Sequence, residues 1–247
     1  MRADLAQIVV TRTEPGASET AARLAAAGDE GIKTPAIRIE TFEPEAGWAA
    51  QSDEIVIFTS ANGVRCFVGA GWTAGKIAVC VGPSTTAAAL DAGFDNVINT
   101  DGNADVLVEA ITEQFDPSAD KFVHYANSAA AGEICAKLNA SGYTARFVPL
   151  YGADAVPWDE VCHVWACLAE TGFIILVHSA KAAKSVNDWI GQADIDTSVV
   201  RLVAISDHAA RPLLHHEWQS VWLAEHPNEN KLMEALHLAT KDGVLSE

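Results

Sequence analysis

The chain has 247 residues, 49% of them hydrophobic and 20% charged, with a net charge of −17. That length suits two domains of about 100–150 residues with substantial cores, and the composition excludes a disordered chain. The acidic excess argues against a general nucleic-acid binder or a protein drawn to anionic membranes, since both need surplus Lys and Arg.

Short β-branched runs alternate with Ala-rich stretches. A strand is predicted over 7–11, then a helix over 18–27 and a strand over 37–39. Strands over 55–59, 77–81 and 97–99 follow, with helices over 62–70, 84–92 and 104–114 after them in turn. The second half repeats the alternation, with strands over 122–125, 144–149, 174–178, 199–205 and 220–223. Its helices are expected over 129–140, 181–190, 208–216 and 229–241. Continuous apolar strands separated by helices predict parallel sheets covered on both faces.

No apolar run approaches the roughly 18–20 residues of a membrane span. The longest, Phe173-Ile174-Ile175-Leu176-Val177, has the length of a strand. The N-terminus lacks the basic-then-apolar layout of a signal peptide, so a cytoplasmic protein is expected. The five cysteines (Cys66, Cys80, Cys135, Cys162, Cys167) are odd in number and scattered, as expected of buried free thiols in a reducing compartment. Cys162, His163 and Cys167 lie close in sequence, but a zinc site needs further ligands at suitable spacing, and no metal is expected.

Several strand ends run into good helix caps: Thr59-Ser60-Ala61-Asn62, Gly82-Pro83-Ser84-Thr85, Asn127-Ser128 and His178-Ser179-Ala180-Lys181. Each such junction presents backbone N–H groups and the positive end of a helix at the carboxyl edge of a sheet, where open α/β folds take ligands. The chain also repeats itself. A shift of 114 residues pairs Val9 with Val123, Glu19 with Glu133, Leu24 with Leu138, Gly28 with Gly142 and Pro35 with Pro149. Shifts of 119, 124 and 125 extend the match, pairing Ser60 with Ser179, Val79 with Val203 and Asn103 with Asn228. The offset only grows, as loop insertions would make it.

The chain has no P-loop, GxGxxG, GxSxG or HExxH motif. Four features remain. Thr59 to Val64 reads equally as a helix cap and as a ligand turn with two hydroxyls. The turn from Gly82 to Thr85 reads as a simple tight turn or as a close backbone approach to a ligand. His178-Ser179 is the repeat partner of Thr59-Ser60. Tyr151, after Pro149, reads more readily as an interface residue between the halves than as an acid. Arg12, Arg65, Lys181, Lys184 and Arg201 are taken singly as surface charges. His215 and His216 are taken as solvated or capping a helix end.

Together these segments resemble the uroporphyrinogen-III synthase family. The resemblance rests on Val10-Thr11-Arg12, Gly28, Pro35-Ala36-Ile37, the run Ile57-Phe58-Thr59-Ser60-Ala61-Asn62-Gly63-Val64, Val81-Gly82-Pro83-Ser84-Thr85, Leu150-Tyr151 and Ser179-Ala180-Lys181-Ala182. It spans nearly the whole chain, and the order and spacing of the segments carry it. It implies an α/β fold of two parallel-sheet lobes, HemD-like and flavodoxin-like, joined by a two-stranded linker. One lobe would comprise 1–36 and 153–247 and the other 39–149, with linkers at about 37–38 and 150–152. It implies a lyase of tetrapyrrole and haem biosynthesis that cyclises hydroxymethylbilane to uroporphyrinogen III, with loss of water and inversion of the last ring. No cofactor or metal, a monomer, and a substrate held between the lobes are implied with it.

By the same resemblance Tyr151 is the candidate acid. The substrate carboxylates would meet Arg12, Thr59, Ser60, Asn62, Gly82, Ser84, Thr85, Ser179 and Arg201. The chain departs from the family pattern at Ile205-Ser206-Asp207-His208-Ala209, which lacks the Gly and Thr of the first-half turn, and at Tyr125-Ala126-Asn127, where a basic-Gly pair is usual. A non-catalytic two-lobed binding protein for an anionic metabolite or tetrapyrrole is the alternative from another class.

Overall fold

The computed structural model describes residues 7–242 apart from 74, 76 and 171. Along the chain come β1 (Gln7–Val10), α1 (Gly16–Ala27), β2 (Gly31–Lys33), β3 (Ile37–Thr41), β4 (Glu54–Phe58), α2 (Ala61–Gly69), β5 (Ile77–Cys80), α3 (Pro83–Asp91), β6 (Asn96–Asn99) and α4 (Ala104–Gln114). There follow β7 (Lys121–Asn127), α5 (Glu133–Ala140), β8 (Thr144–Ala155), α6 (Trp158–Leu168), β9 (Phe173–Val177), α7 (Ala180–Ala193), β10 (Arg201–Ala204), α8 (Asp207–Ala210), β11 (Ser220–Leu223) and α9 (Glu229–Asp242).

The chain divides into two compact units, Met1–Ile39 with Asp154–Glu247, and Glu40–Ala153. The first holds a sheet of order β2-β1-β9-β10-β11, with every neighbouring pair parallel. The second holds the order β8-β7-β4-β5-β6, again parallel, with β3 beside β8. Mapping β1, β2, β9, β10 and β11 onto β7, β8, β4, β5 and β6 makes the two orders identical, so the internal repeat is a repeat of topology. Each unit takes its leading βαβ segment from one half of the chain and its remaining strands from the other.

Burial explains the ranking of strands within each sheet. All five residues of β9 are buried, as are residues 55–58 of β4 and 122–126 of β7. These central strands carry helices on both faces. Ile55 and Ile57 pack with Leu107, Ile111, Ile134 and Leu138 from α4 and α5. Phe58, on the opposite face, meets Phe67, Phe94 and Tyr125 edge-on or stacked at centroid distances of 5.7, 5.7 and 6.1 Å. Each such side chain contributes about 1.5–3 kcal/mol on burial. The edge strands β6 and β11 are only partly covered.

Four local differences from the sequence expectation have physical causes. The helix expected over 208–216 shrinks to α8 and a 3-10 turn (Arg211–Leu213), because Pro212 has no N–H to continue it. The helix expected from 129 starts only at Glu133, after Ala131 and Gly132 take left-handed conformations at φ 49° and 72°. The strand expected over 144–149 is longer, with β8 continuing through Ala155. Two elements, β2 and α6, were not expected. Cys162 and Cys167 lie on α6, half-buried and exposed, and only Cys66, Cys80 and Cys135 are buried thiols.

Candidate functional site

In each sheet the helical connections diverge from one point in the strand order, between β1 and β9 in the first unit and between β4 and β7 in the second. The carboxyl ends of strands at such a switch point form a crevice that suits ligands.

In the second unit this crevice is built from the predicted turn. Ser60 leaves β4 in extended conformation and its Oγ accepts from the N–H of Asn62 at 3.2 Å, capping α2. Because Oγ is used as an acceptor, the Ser60 hydroxyl hydrogen is still available to donate. The α2 helix can seat against β7 because residue 63 is glycine: a Cβ there would lie 2.9 Å from the Tyr125 carbonyl oxygen. The neighbouring turn follows β5, with the Val81 N–H donating to the Phe58 carbonyl at 3.0 Å. Gly82 adopts φ 78° ahead of Pro83 at the start of α3, a conformation that disfavours side chains. Ser84 is exposed, whereas Thr85, predicted to meet substrate carboxylates, is buried. The Asn62 Oδ1 accepts from the Arg65 guanidinium at 2.9 Å.

Tyr151 closes the other side of this crevice. It stands on β8, paired in register with Asn127 of β7. Its side chain is buried, and burial pushes the phenol pKa up, with hydrogen bonding by Ser60 offsetting part of the rise. The hydroxyls of Tyr125 and Tyr143 donate to backbone carbonyls, of Trp48 at 2.6 Å and Phe115 at 2.8 Å. Tyr151 instead faces a side-chain hydroxyl at the strand ends. Beneath the turn, Thr59 Oγ1 lies 3.3 Å from Nε2 of His124, which is buried on β7. Burial lowers the His124 pKa to about 4, so its imidazole is neutral near pH 7.

The equivalent crevice of the first unit has a different chemistry. Thr11 is tied to the Leu176 carbonyl at 2.7 Å. Arg12, predicted to meet substrate carboxylates, donates to Glu229 Oε2 at 3.1 Å, and Thr20 donates to Oε1 of the same carboxylate at 2.6 Å. His178 Nε2 lies 3.2 Å from Glu229 Oε2. Burial would raise the Glu229 pKa, but the bonds from His178 and Thr20 and the positive charge of Arg12 prevail and hold it at about 2. Glu229 is thus a carboxylate of the chain itself, at the first turn of α9, seated among the donors of this edge. Ser179 remains exposed while capping α7 through the Ala182 N–H at 3.2 Å.

Of the predicted contacts, the structure brings Thr59, Ser60 and Asn62, the Gly82 turn, and Tyr151 to the carboxyl edge of the second unit. Arg12 and Ser179 stand at that edge of the first. Arg201 does not: it opens β10, pairing with Ser220 and Ile174 near the amino ends of their strands. A four-residue strand separates it from the carboxyl edge by about 10 Å, at about 3.3 Å per residue. Ser206 has φ −166° where its repeat partner Gly82 has 78°, so the second-half turn has a different backbone as well as a different sequence. His124 and Glu229 escaped sequence reasoning. His124 is one polar residue inside an apolar strand, and Glu229 acquires its partners only through folding. Among the described residues, no three His, Cys, Asp or Glu side chains gather as metal ligands.

Two flavodoxin-like parallel sheets, with hydroxyls, amides and one phenol at a switch point, define a class of α/β protein whose strand ends suit small polar ligands. The sequence matches the family model for uroporphyrinogen-III synthase HemD over residues 18–234, and the chain belongs to that family. Its fold is similar to that of a mutant uroporphyrinogen III synthase from the extremely thermophilic bacterium Thermus thermophilus, with a TM-score of 0.56 and 14% identity over 98% of this chain and 100% of that one. It is similar also to uroporphyrinogen-III synthetase from Helicobacter pylori, with a TM-score of 0.59 and 12% identity over 95% of this chain and 99% of that one. At such identities these structures speak to the fold. No curated protein sequence matches the chain.

Proposed function

We propose that this protein closes the linear tetrapyrrole hydroxymethylbilane to uroporphyrinogen III, losing water and inverting the last ring. The family match over residues 18–234 carries this reading. The crevice of the second unit supports it. Departure of hydroxide from the hydroxymethyl group leaves an azafulvene cation stabilised by its own pyrrole, so only modest acid assistance is needed. Tyr151 supplies that proton: a phenol is protonated near pH 7, and burial, which raises its pKa further, leaves it a weak acid suited only to modest assistance. The departing group leaves as water, and the proton shed when the closed macrocycle regains its aromatic pyrroles restores the phenol.

The greater demand is geometric. The free bilane closes without inversion, so the protein must direct attack to the substituted carbon of the last ring, through a spiro intermediate, by orientation and water exclusion. The substrate carries eight carboxylates and the chain has a net charge of −17. Binding therefore relies on local donors. Thr59, Ser60, Asn62, the turn at Gly82 and Ser84, and Ser179 supply hydroxyls and helix N-terminal amides without net positive charge. Arg12 contributes only in partnership with Glu229. A cytoplasmic setting belongs to the same proposal.

Replacing Tyr151 by Phe tests the site. Turnover of hydroxymethylbilane should fall about ten- to a hundredfold, within reach of general-acid effects, without vanishing. Unchanged turnover would remove Tyr151 from the acid role.

A further inference from the structure

We propose that His124 is a positioning residue that fixes Thr59 as a hydrogen-bond donor toward substrate: its Nε2–H donates to Thr59 Oγ1, so that the Thr59 hydroxyl hydrogen points out of the protein to an anionic group. The inference rests on the function proposed above and goes beyond it by assigning a tautomer and a direction.

The hydrogen bonds of the His124 ring are unbalanced. His124 is 1% exposed, and its Nε2 lies 3.3 Å from Thr59 Oγ1. Its Nδ1 is buried and has no hydrogen-bond partner among the described residues. The ring packs beside Phe147, at 5.7 Å between centroids. In this environment the imidazole is neutral, so one nitrogen carries a hydrogen and the other a lone pair. With the hydrogen on Nδ1, a buried N–H would have no acceptor, which is the rarer defect in folded proteins. With it on Nε2, the N–H is satisfied by Thr59 and only a lone pair is left bare. The hydrogen bond therefore sets the tautomer.

The consequence falls on Thr59, which is half-buried at the carboxyl end of β4. A hydroxyl has one hydrogen. When its oxygen accepts from His124, that hydrogen is not spent inward and is polarised for donation outward. A threonine that would otherwise choose between accepting and donating is thereby committed to anions. The switch point between β4 and β7 is where the two side chains meet, so His124 reaches the crevice from below without touching its contents.

The tautomer is read directly by 15N NMR of histidine-labelled protein, with no substrate present. The expected result is a protonated Nε2 and a bare Nδ1 for His124, and the reverse assignment would overturn the proposal. In kinetics with hydroxymethylbilane, His124→Leu should raise KM about threefold, with kcat little changed. His124→Gln, whose amide N–H can stand in for Nε2–H, should restore most of it. In a Thr59→Val background His124→Leu should add nothing. An unchanged KM in His124→Leu, or an equal effect in the Thr59→Val background, would reduce His124 to a packing residue. Failure of the underlying functional reading looks different: the wild-type protein would give no inverted product, whatever the tautomer.

Discussion

Glu229 holds four groups of the first unit together: Arg12, Thr20, His178 and the start of α9. Its folded pKa of about 2 lies below the ordinary value of 4.5. The unfolded chain therefore binds the proton more readily, and the stabilisation is fully present above about pH 4.5 and lost as pH falls toward 2. Glu229→Gln should cost about 1–3 kcal/mol near neutrality, the range of bonds to charged groups. Denaturant titrations should show that gap closing below pH 3, and a gap independent of pH would contradict the assignment. His124 titrates over a different window. Its pKa is depressed to about 4, so the native state loses stability as pH falls from 6.5 toward 4. His124→Gln should flatten that part of the pH profile.

Elements differed in how far the sequence announced them, and the reasons are physical. The run from Phe173 to Val177 is buried on both faces, so its composition alone marks β9. Leu176→Ala in this strand should cost about 2–5 kcal/mol by equilibrium unfolding. The strand β2 has one apolar residue, Ile32, and exists because Gly31, Ile32 and Lys33 pair with β1. Its signal is tertiary, and no pattern over three residues could carry it. The helix α6 did have a signal, in Val161, Trp165 and Leu168 spaced four and three apart and all buried. Cys162, His163 and Cys167 interleave with that apolar stripe and break up its pattern. At the site, Ser60 and Ser179 were legible because capping is local. Tyr151 reads in sequence as an interface residue, and only the family resemblance makes it an acid candidate, since its pairing with Asn127 and its neighbour Ser60 are brought together across distant segments. Arg201 carries no local mark of the end of the sheet it occupies, since a charged residue suits either end of a strand. Gly63→Ala tests the seating of α2: with the Tyr125 carbonyl 2.9 Å from the new Cβ, it should cost about 1–3 kcal/mol and disturb the Ser60 cap.

At the scale of the molecule, the repeat and the folding units do not coincide. The halves of the sequence meet near residue 120, but each sheet draws strands from both halves. A cut at 120 would separate β4 from β7, the central pair of the second sheet, and β1 from β9, that of the first. Fragments 1–120 and 121–247 should therefore lack cooperative thermal transitions, while fragment 40–153 should melt cooperatively on its own. A folded 1–120 fragment would contradict this division. The two units also carry unequal chemistry at their strand ends, a phenol with hydroxyls in one and a self-neutralised ion cluster in the other, so the proposed chemical step belongs to the second unit. Inversion of the last ring is the step that separates the proposed reaction from spontaneous closure. The most direct measurement supplies freshly generated hydroxymethylbilane to the protein, oxidises the products and separates the porphyrin isomers. Predominantly isomer III is expected from the wild-type protein, and isomer I alone, as in the spontaneous reaction, would contradict the proposed inversion.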